Sequence, residues 1–217
     1  MRMDAGSMLI LADGSHATVA DLVIDPVRQR LTHLVVVPPA RRQGSRLVPF
    51  GALTGDSGLM GLSWSAADLL GAPEVDEEDL LEPNGWPHTE DGWEVGVITM
   101  LPWPSYGAPE GVGYGQWVEP GFGDRPPTAA RYDRIPAGCV EIRRLSDVLG
   151  SDRLPVGYVR GLTVGPDGEL VELIVDQGHL WARHDLTVPF EQVESVLTDQ
   201  VRLRAGATAL KHHRLAC

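Results

Sequence analysis

From Val19 onward, short aliphatic runs alternate with polar turns at a spacing too tight for helices. Val19, Leu22 and Ile24 open one apolar segment, Asp25-Pro26 breaks it, and Leu31 to Val37 makes a second, rich in β-branched residues. The same order returns 140 positions later. There Val159, Leu162 and Val164 open a segment, Gly165-Pro166-Asp167-Gly168 breaks it, and Val171 to Val175 follows. Proline pre-sets the second turn position and Gly168 tolerates positive φ, so the pattern predicts a tight reversal between two strands. Without a gap, the shift lays Leu34-Val35 on Ile174-Val175 and Val48-Pro49-Phe50 on Val188-Pro189-Phe190. A proline inside Leu47–Phe50 or Leu186–Phe190 places that strand at an edge or a bulge, because it cannot donate to a ladder. A last strand is expected over Leu59–Trp64, matched with one residue of slack by Val201-Arg202-Leu203.

A repeat this long signals duplicated domains, not a solenoid. Many short strands with Gly and Pro turns predict an all-β protein. We expect two small six-stranded barrels, residues 5–65 and 138–206, packed about a pseudo-two-fold axis and followed by a tail, 207–217. Domains of this size are near the lower limit for an independent core, so the two are expected to lean on each other.

Residues 66–137 form a connector of another kind. The stretch 65–137 holds ten of the 17 prolines and four of the six tryptophans, and its 14 acidic residues face only three arginines. Nearly all of the net charge of −12 therefore belongs to it, and the two copies are close to neutral. Within it, Ser65–Leu70 suggests a helical turn or two ended by Gly71 and Pro73. Trp93-Glu94-Val95-Gly96-Val97-Ile98 alternates as a strand does. The acidic run Asp76-Glu77-Glu78-Asp79 reads as solvated. Four tryptophans are costly to leave in water, which favours a belt across the barrels over a free arm.

The strand ending Leu-x-Val/Ile-x-Pro, the aliphatic strand after it and the Val-Pro-Phe tripeptide together resemble the PRC-barrel domain. The stretch from Val156-Gly157-Tyr158-Val159 through Leu203 carries the resemblance best. Gly178–Arg183 before Val188-Pro189-Phe190 is similar to stand-alone bacterial proteins with two such domains. The first copy departs from the pattern with Ala20-Asp21, where a glycine is usual, and with a Pro-Pro-Ala-Arg-Arg loop at Pro38–Arg42. The resemblance implies a binding or assembly module without a common catalytic set. The ribosome-maturation protein RimM ends in such a barrel, which implies an RNA- or ribosome-associated factor as the alternative.

Candidate partner-binding residues follow from two features. The same loop is basic in both copies, with Arg41, Arg42 and Arg46 in one and Arg183 and His184 in the other. These are read either as an anion or RNA contact, as solvated hairpin tips that protect an edge, or as a landing site for the acidic connector. The other feature is the connector's aromatics, above all Trp103 and Trp117, which serve as wraps for the barrels or as partner anchors. No catalytic, cofactor or metal site is expected. His179 and His184 fall on opposite faces of a strand, His212, His213 and Cys217 sit in a terminal tail, and Cys139 reads as a small buried hydrophobe. No phosphate loop, Rossmann fingerprint, G-x-S-x-G or H-E-x-x-H is present.

The sequence has no apolar run of membrane-spanning length and no signal-peptide core at Met1–Gly6. The expectation is a non-enzymatic, cytoplasmic protein-binding or scaffold module of a bacterium, without membrane insertion and with a homo-oligomer as an option. Its main partner is expected to be another protein, with RNA or a ribosome second.

Overall fold

The computed structural model describes residues 1–39, 44–55, 60–81, 92–101, 128–177, 184–197 and 199–212. The first copy contributes strands β1 (Arg2–Asp4), β2 (Met8–Ile10), β3 (His16–Asp25), β4 (Arg30–Val37), β5 (Arg46–Pro49), β6 (Leu53–Thr54) and β7 (Gly61–Leu62), then helix α1 (Ala66–Leu70). The connector adds β8 (Asp76–Leu81), β9 (Trp93–Leu101) and β10 (Thr128–Pro136). The second copy supplies β11 (Val140–Ile142), β12 (Asp147–Leu149), β13 (Pro155–Val164), β14 (Leu170–Gln177), β15 (His184–Pro189), β16 (Val193–Leu197), β17 (Gln200–Leu203) and α2 (Ala207–His212).

The protein is all-β, built on two sheets of the same topology. Their orders are β5-β4-β3-β2-β7-β6 and β15-β14-β13-β12-β17-β16. Each sheet has seven strands instead of the expected six, because the copies exchange one. Strand β1 pairs with β13, setting Met3 opposite Leu162, and β11 pairs with β3, setting Ile142 opposite Leu22. Both exchanged side chains are fully buried. The reversals that join β3 to β4 and β13 to β14 also meet, tip to tip. The Leu31 N–H donates to the Gly168 carbonyl at 2.8 Å and the Leu170 N–H to the Gln29 carbonyl at 2.9 Å. Reciprocity at both contacts marks the expected pseudo-two-fold axis. One apolar core runs across it, from Leu9, Leu34 and Leu62 to Val148, Leu173 and Leu203.

Register corrects one part of the sequence alignment. Leu34 opposes Leu22 as Leu173 opposes Leu162, so Leu34-Val35 corresponds to Leu173-Ile174, not to Ile174-Val175. The first reversal, 25–30, is one residue longer than the second, 165–169. The tripeptides also differ from expectation. Pro49 and Pro189 end edge strands as predicted, but Phe50 and Phe190 each start a 3-10 turn. Phe190 is buried, whereas Phe50 is only partly buried and lies beside Gly168 at the junction of the copies. Of the strand expected over Leu59–Trp64 only Gly61–Leu62 forms, and Leu59 lies outside the described residues.

The connector is more ordered than its composition suggests. Strands β8, β10 and β9 form a third, antiparallel sheet. Strand β9 contains the alternating run from Trp93, as expected. The acidic run starting at Asp76 is strand β8, paired along its length with β10. Helix α1 forms where expected, with Ser65 and Asp68 in a reciprocal capping box. Asp13 pins it to the β2–β3 turn by accepting from the Ala66 N–H at 2.9 Å. The bond from the Ser15 hydroxyl, with those from the Ala66 and Ser15 N–H groups, lowers the Asp13 pKa to about 2.

Candidate functional site

A duplicated fold offers each surface twice, so places where the copies differ locate what only one of them does. Three such differences involve the faces and edges of the two main sheets.

The first is the outer sheet face. Val23, Val35 and Leu47 point away from the main core and are buried under Val75, Trp93 and Ile135 of the connector, with Cys139 just beyond it. The Arg134 guanidinium stacks 4.7 Å from the Trp93 ring centroid. Trp93 is docked as expected, but on the first copy alone and not across both, while Trp86, Trp103 and Trp117 lie outside the described residues. Cys139 is half-buried, with its Sγ 3.6 Å from the Thr32 hydroxyl. Register places Thr163, Ile174 and Thr187 at the corresponding positions of the second copy. There a closed ring of ion pairs takes the place of an apolar cover. Arg2 bonds Asp4 and Asp185 at 2.8 Å, and Arg160 bonds Asp4 at 3.2 Å and Asp185 at 2.7 Å. The ring joins β1 to β15 across the strands between them. The bond to Asp4, and after it the one to Asp185, holds the Arg2 guanidinium charged, and the bond from Arg2 chiefly keeps the Asp185 carboxyl below its usual range. Gly161 lies under the crossing strand, where a Cβ would come within 2.2 Å of the Met3 carbonyl. The first copy has Asp21 here, and its carboxylate accepts the Arg144 N–H at 3.0 Å.

The second difference is the sheet edge. The Leu47 N–H donates to the Pro73 carbonyl at 2.9 Å and the Val75 N–H to the Ser45 carbonyl at 3.0 Å, so segment 73–75 covers β5. Arg46 is paired with Glu74 at 3.0 Å and is 13% exposed. Of the three readings of the basic loops, the connector's return is the one this residue shows. In the second copy Leu186 stands in the place of Arg46 and, among the described residues, nothing bonds to the outer side of β15. His184 begins that strand and is exposed. Arg41, Arg42, Arg183, Trp103 and Trp117 lie outside the described residues, and the two that are described, Arg46 and His184, sit on β5 and β15 of different sheets.

The third difference was not anticipated from sequence. Gly6 and Leu145 occupy the same turn of the two copies, each donating its N–H to the carbonyl of Val19 or Val159. Gly6 has φ +91° and Leu145 has φ +73°. A leucine in the left-handed region is strained by roughly 1–2 kcal/mol. Its side chain gains no compensating burial, being 61% exposed. It lies on the rim of a depression of about 550 Å³ lined also by Ser7, Arg144, Val159, Arg160 and Asp176. Beside it a row of opposed residues crosses the sheet: Asp176, Tyr158, Asp147, Gln200 and Leu197. Tyr158 is 48% and Leu197 57% exposed. The matching positions under Tyr158 and Asp147 in the first copy are Thr18 and Met8. The available sequence signal was the substitution of leucine for glycine within an otherwise matched turn, which a glance at hydrophobic spacing does not register.

One buried polar atom carries a pH prediction. His33 on β4 opposes Val23 and Pro49, and its Nδ1 is buried with no hydrogen-bond partner among the described residues. Burial lowers its pKa below the ordinary 6.5. The unfolded chain therefore takes up a proton before the folded one does. The neutral imidazole's contribution is complete above pH 6.5 and declines as pH falls from there toward the folded value. Thermal melts between pH 7.5 and 5.5 are expected to show a steeper loss for the natural protein than for His33→Gln. Parallel curves would exclude His33 as the source.

Among the described residues no group of three His, Cys, Asp or Glu side chains is placed to hold a metal ion, and no helix is long and apolar enough to cross a membrane. Comparison with known protein families finds no matching family model, and comparison with curated proteins finds no matching sequence.

Proposed function

We propose that this protein is a non-enzymatic protein-binding or scaffold module of the PRC-barrel type, which takes its partner on the second copy. The observation that carries this reading is Leu145. Backbone strain of this kind clusters at functional sites, and an exposed tyrosine close to a depression has the make-up of an interface anchor. The first copy contributes Asp4 to Ser7 to the same depression but neither a leucine nor a tyrosine. Its outer face and its edge are both occupied by the connector, and its counterpart of Leu145 is a glycine. The RNA reading draws no support from Arg46, whose guanidinium is engaged by Glu74.

Strain and binding respond in opposite directions, and that supplies the test. Leu145→Gly is expected to stabilise the fold by roughly 0.5–1 kcal/mol, strain relief exceeding the added chain entropy of glycine. The same change, alone or with Tyr158→Ala, is expected to abolish capture of the partner that the natural protein retains from a lysate of its own cells. Capture that survives both substitutions, or that disappears only when salt is raised and ribonuclease is added, refutes this surface as the protein-binding site.

A further inference from the structure

The edge of β15, to which no described residue bonds, is the counterpart of an edge that the chain covers elsewhere, and the covered one shows which atoms bond there. The Leu47 N–H and the Ser45 carbonyl face outward and are met by segment 73–75. Leu47 opposes Val35 as Thr187 opposes Ile174, so Thr187 and Asp185 turn their N–H and carbonyl groups to the outside of β15. Among the described residues these groups have no partner. We infer that β15 pairs antiparallel with β15 of a second copy of this chain, joining two sheets edge to edge about a two-fold axis through Leu186.

The register is self-consistent. With Leu186 opposite Leu186 of the second copy, Thr187 falls opposite Asp185, and each such pair exchanges two N–H···O bonds, four in all. No like charges are brought face to face, and the central contact is aliphatic. The Asp185 carboxylate is already engaged by Arg2 and Arg160, which tempers its field at the junction. The chain's net charge of −12 lies mainly in the connector and opposes the pairing little. Segment 73–75 of another copy does not suit this edge. It offers Glu74 to an arginine on the first edge and would meet Leu186 on the second. Pro189 closes one end of the strand and limits growth beyond the pair.

Sedimentation of the full chain across a concentration range tests the inference. The natural protein is expected to dimerise. Leu186→Lys and Leu186→Glu, purified separately, are each expected to be monomeric, and an equimolar mixture is expected to recover the dimer because position 186 faces itself. Thr187→Pro removes an outward donor that makes no bond inside the sheet. It is expected to weaken dimerisation about ten-fold or more, through the loss of two of the four bonds. This variant decides the matter should a charge at half-buried Leu186 unfold the chain. A natural protein that stays monomeric, a dimer indifferent to Thr187→Pro, or charge variants that fail to recover on mixing each overturn the pairing. Partner capture through Leu145 and Tyr158 uses other residues, so failure of one proposal leaves the other standing.

Discussion

Met3→Ala is expected to destabilise the second sheet, although Met3 precedes the first. Its side chain is fully buried opposite Leu162, and truncating a buried methionine costs about 2–5 kcal/mol. For a chain of this size that corresponds to a fall in Tm of about 4–20 °C. Amide exchange should locate the damage. Protection is expected to drop first along Pro155–Val164, and the counterpart Ile142→Ala is expected to expose His16–Asp25 instead. Both variants are expected to melt in one transition, since a single core spans the two copies. Two resolved transitions, or exchange that rises only next to the substitution in sequence, would contradict the strand exchange.

Ile135→Ala acts on the connector. Ile135 is 3% exposed and shares the second apolar cluster with Val23, Val35, Leu47 and Val75. The same range of about 2–5 kcal/mol applies to that cluster, but its loss opens the third sheet locally before the main core unfolds. Cys139 packs on the same cluster and reports the opening. In a Cys217→Ser background, thiol labelling of Cys139 is expected to accelerate at least ten-fold, with the main melting transition shifted much less. An unchanged labelling rate would mean that the third sheet is not held by these contacts.

Much of the fold was legible because it is written in local alternation. The turn Gly165-Pro166-Asp167-Gly168, the aliphatic run ending at Val37 and the edge prolines Pro49 and Pro189 each specify a conformation by their own chemistry. The strand exchange does not. Three residues such as Arg2-Met3-Asp4 carry no mark of a partner more than 150 positions away, and only the closed sheet selects it. The one-residue error at Leu34-Val35 has a related cause. A reversal can absorb an extra residue without altering the apolar pattern on either side. Strand β8 escaped notice because charge predicts solvation of side chains, whereas ladder pairing is made by the backbone. At the site, the basic loops were visible as composition, but whether an arginine is spent internally depends on Glu74 reaching Arg46. Leu145 stood out only once its φ was known.

The exchange of β1 and β11 also has a consequence for synthesis. The first sheet cannot receive its last strand until Ile142 has been made, long after Leu62 closes the rest of it. At about 5–20 residues per second, the roughly 80 intervening residues take about 4–16 s. Throughout that time Leu22 faces an empty lane on the emerging chain, and β1 has no sheet to join. The first copy therefore waits for the second, and neither sheet is complete before β11 and β13 have both been made.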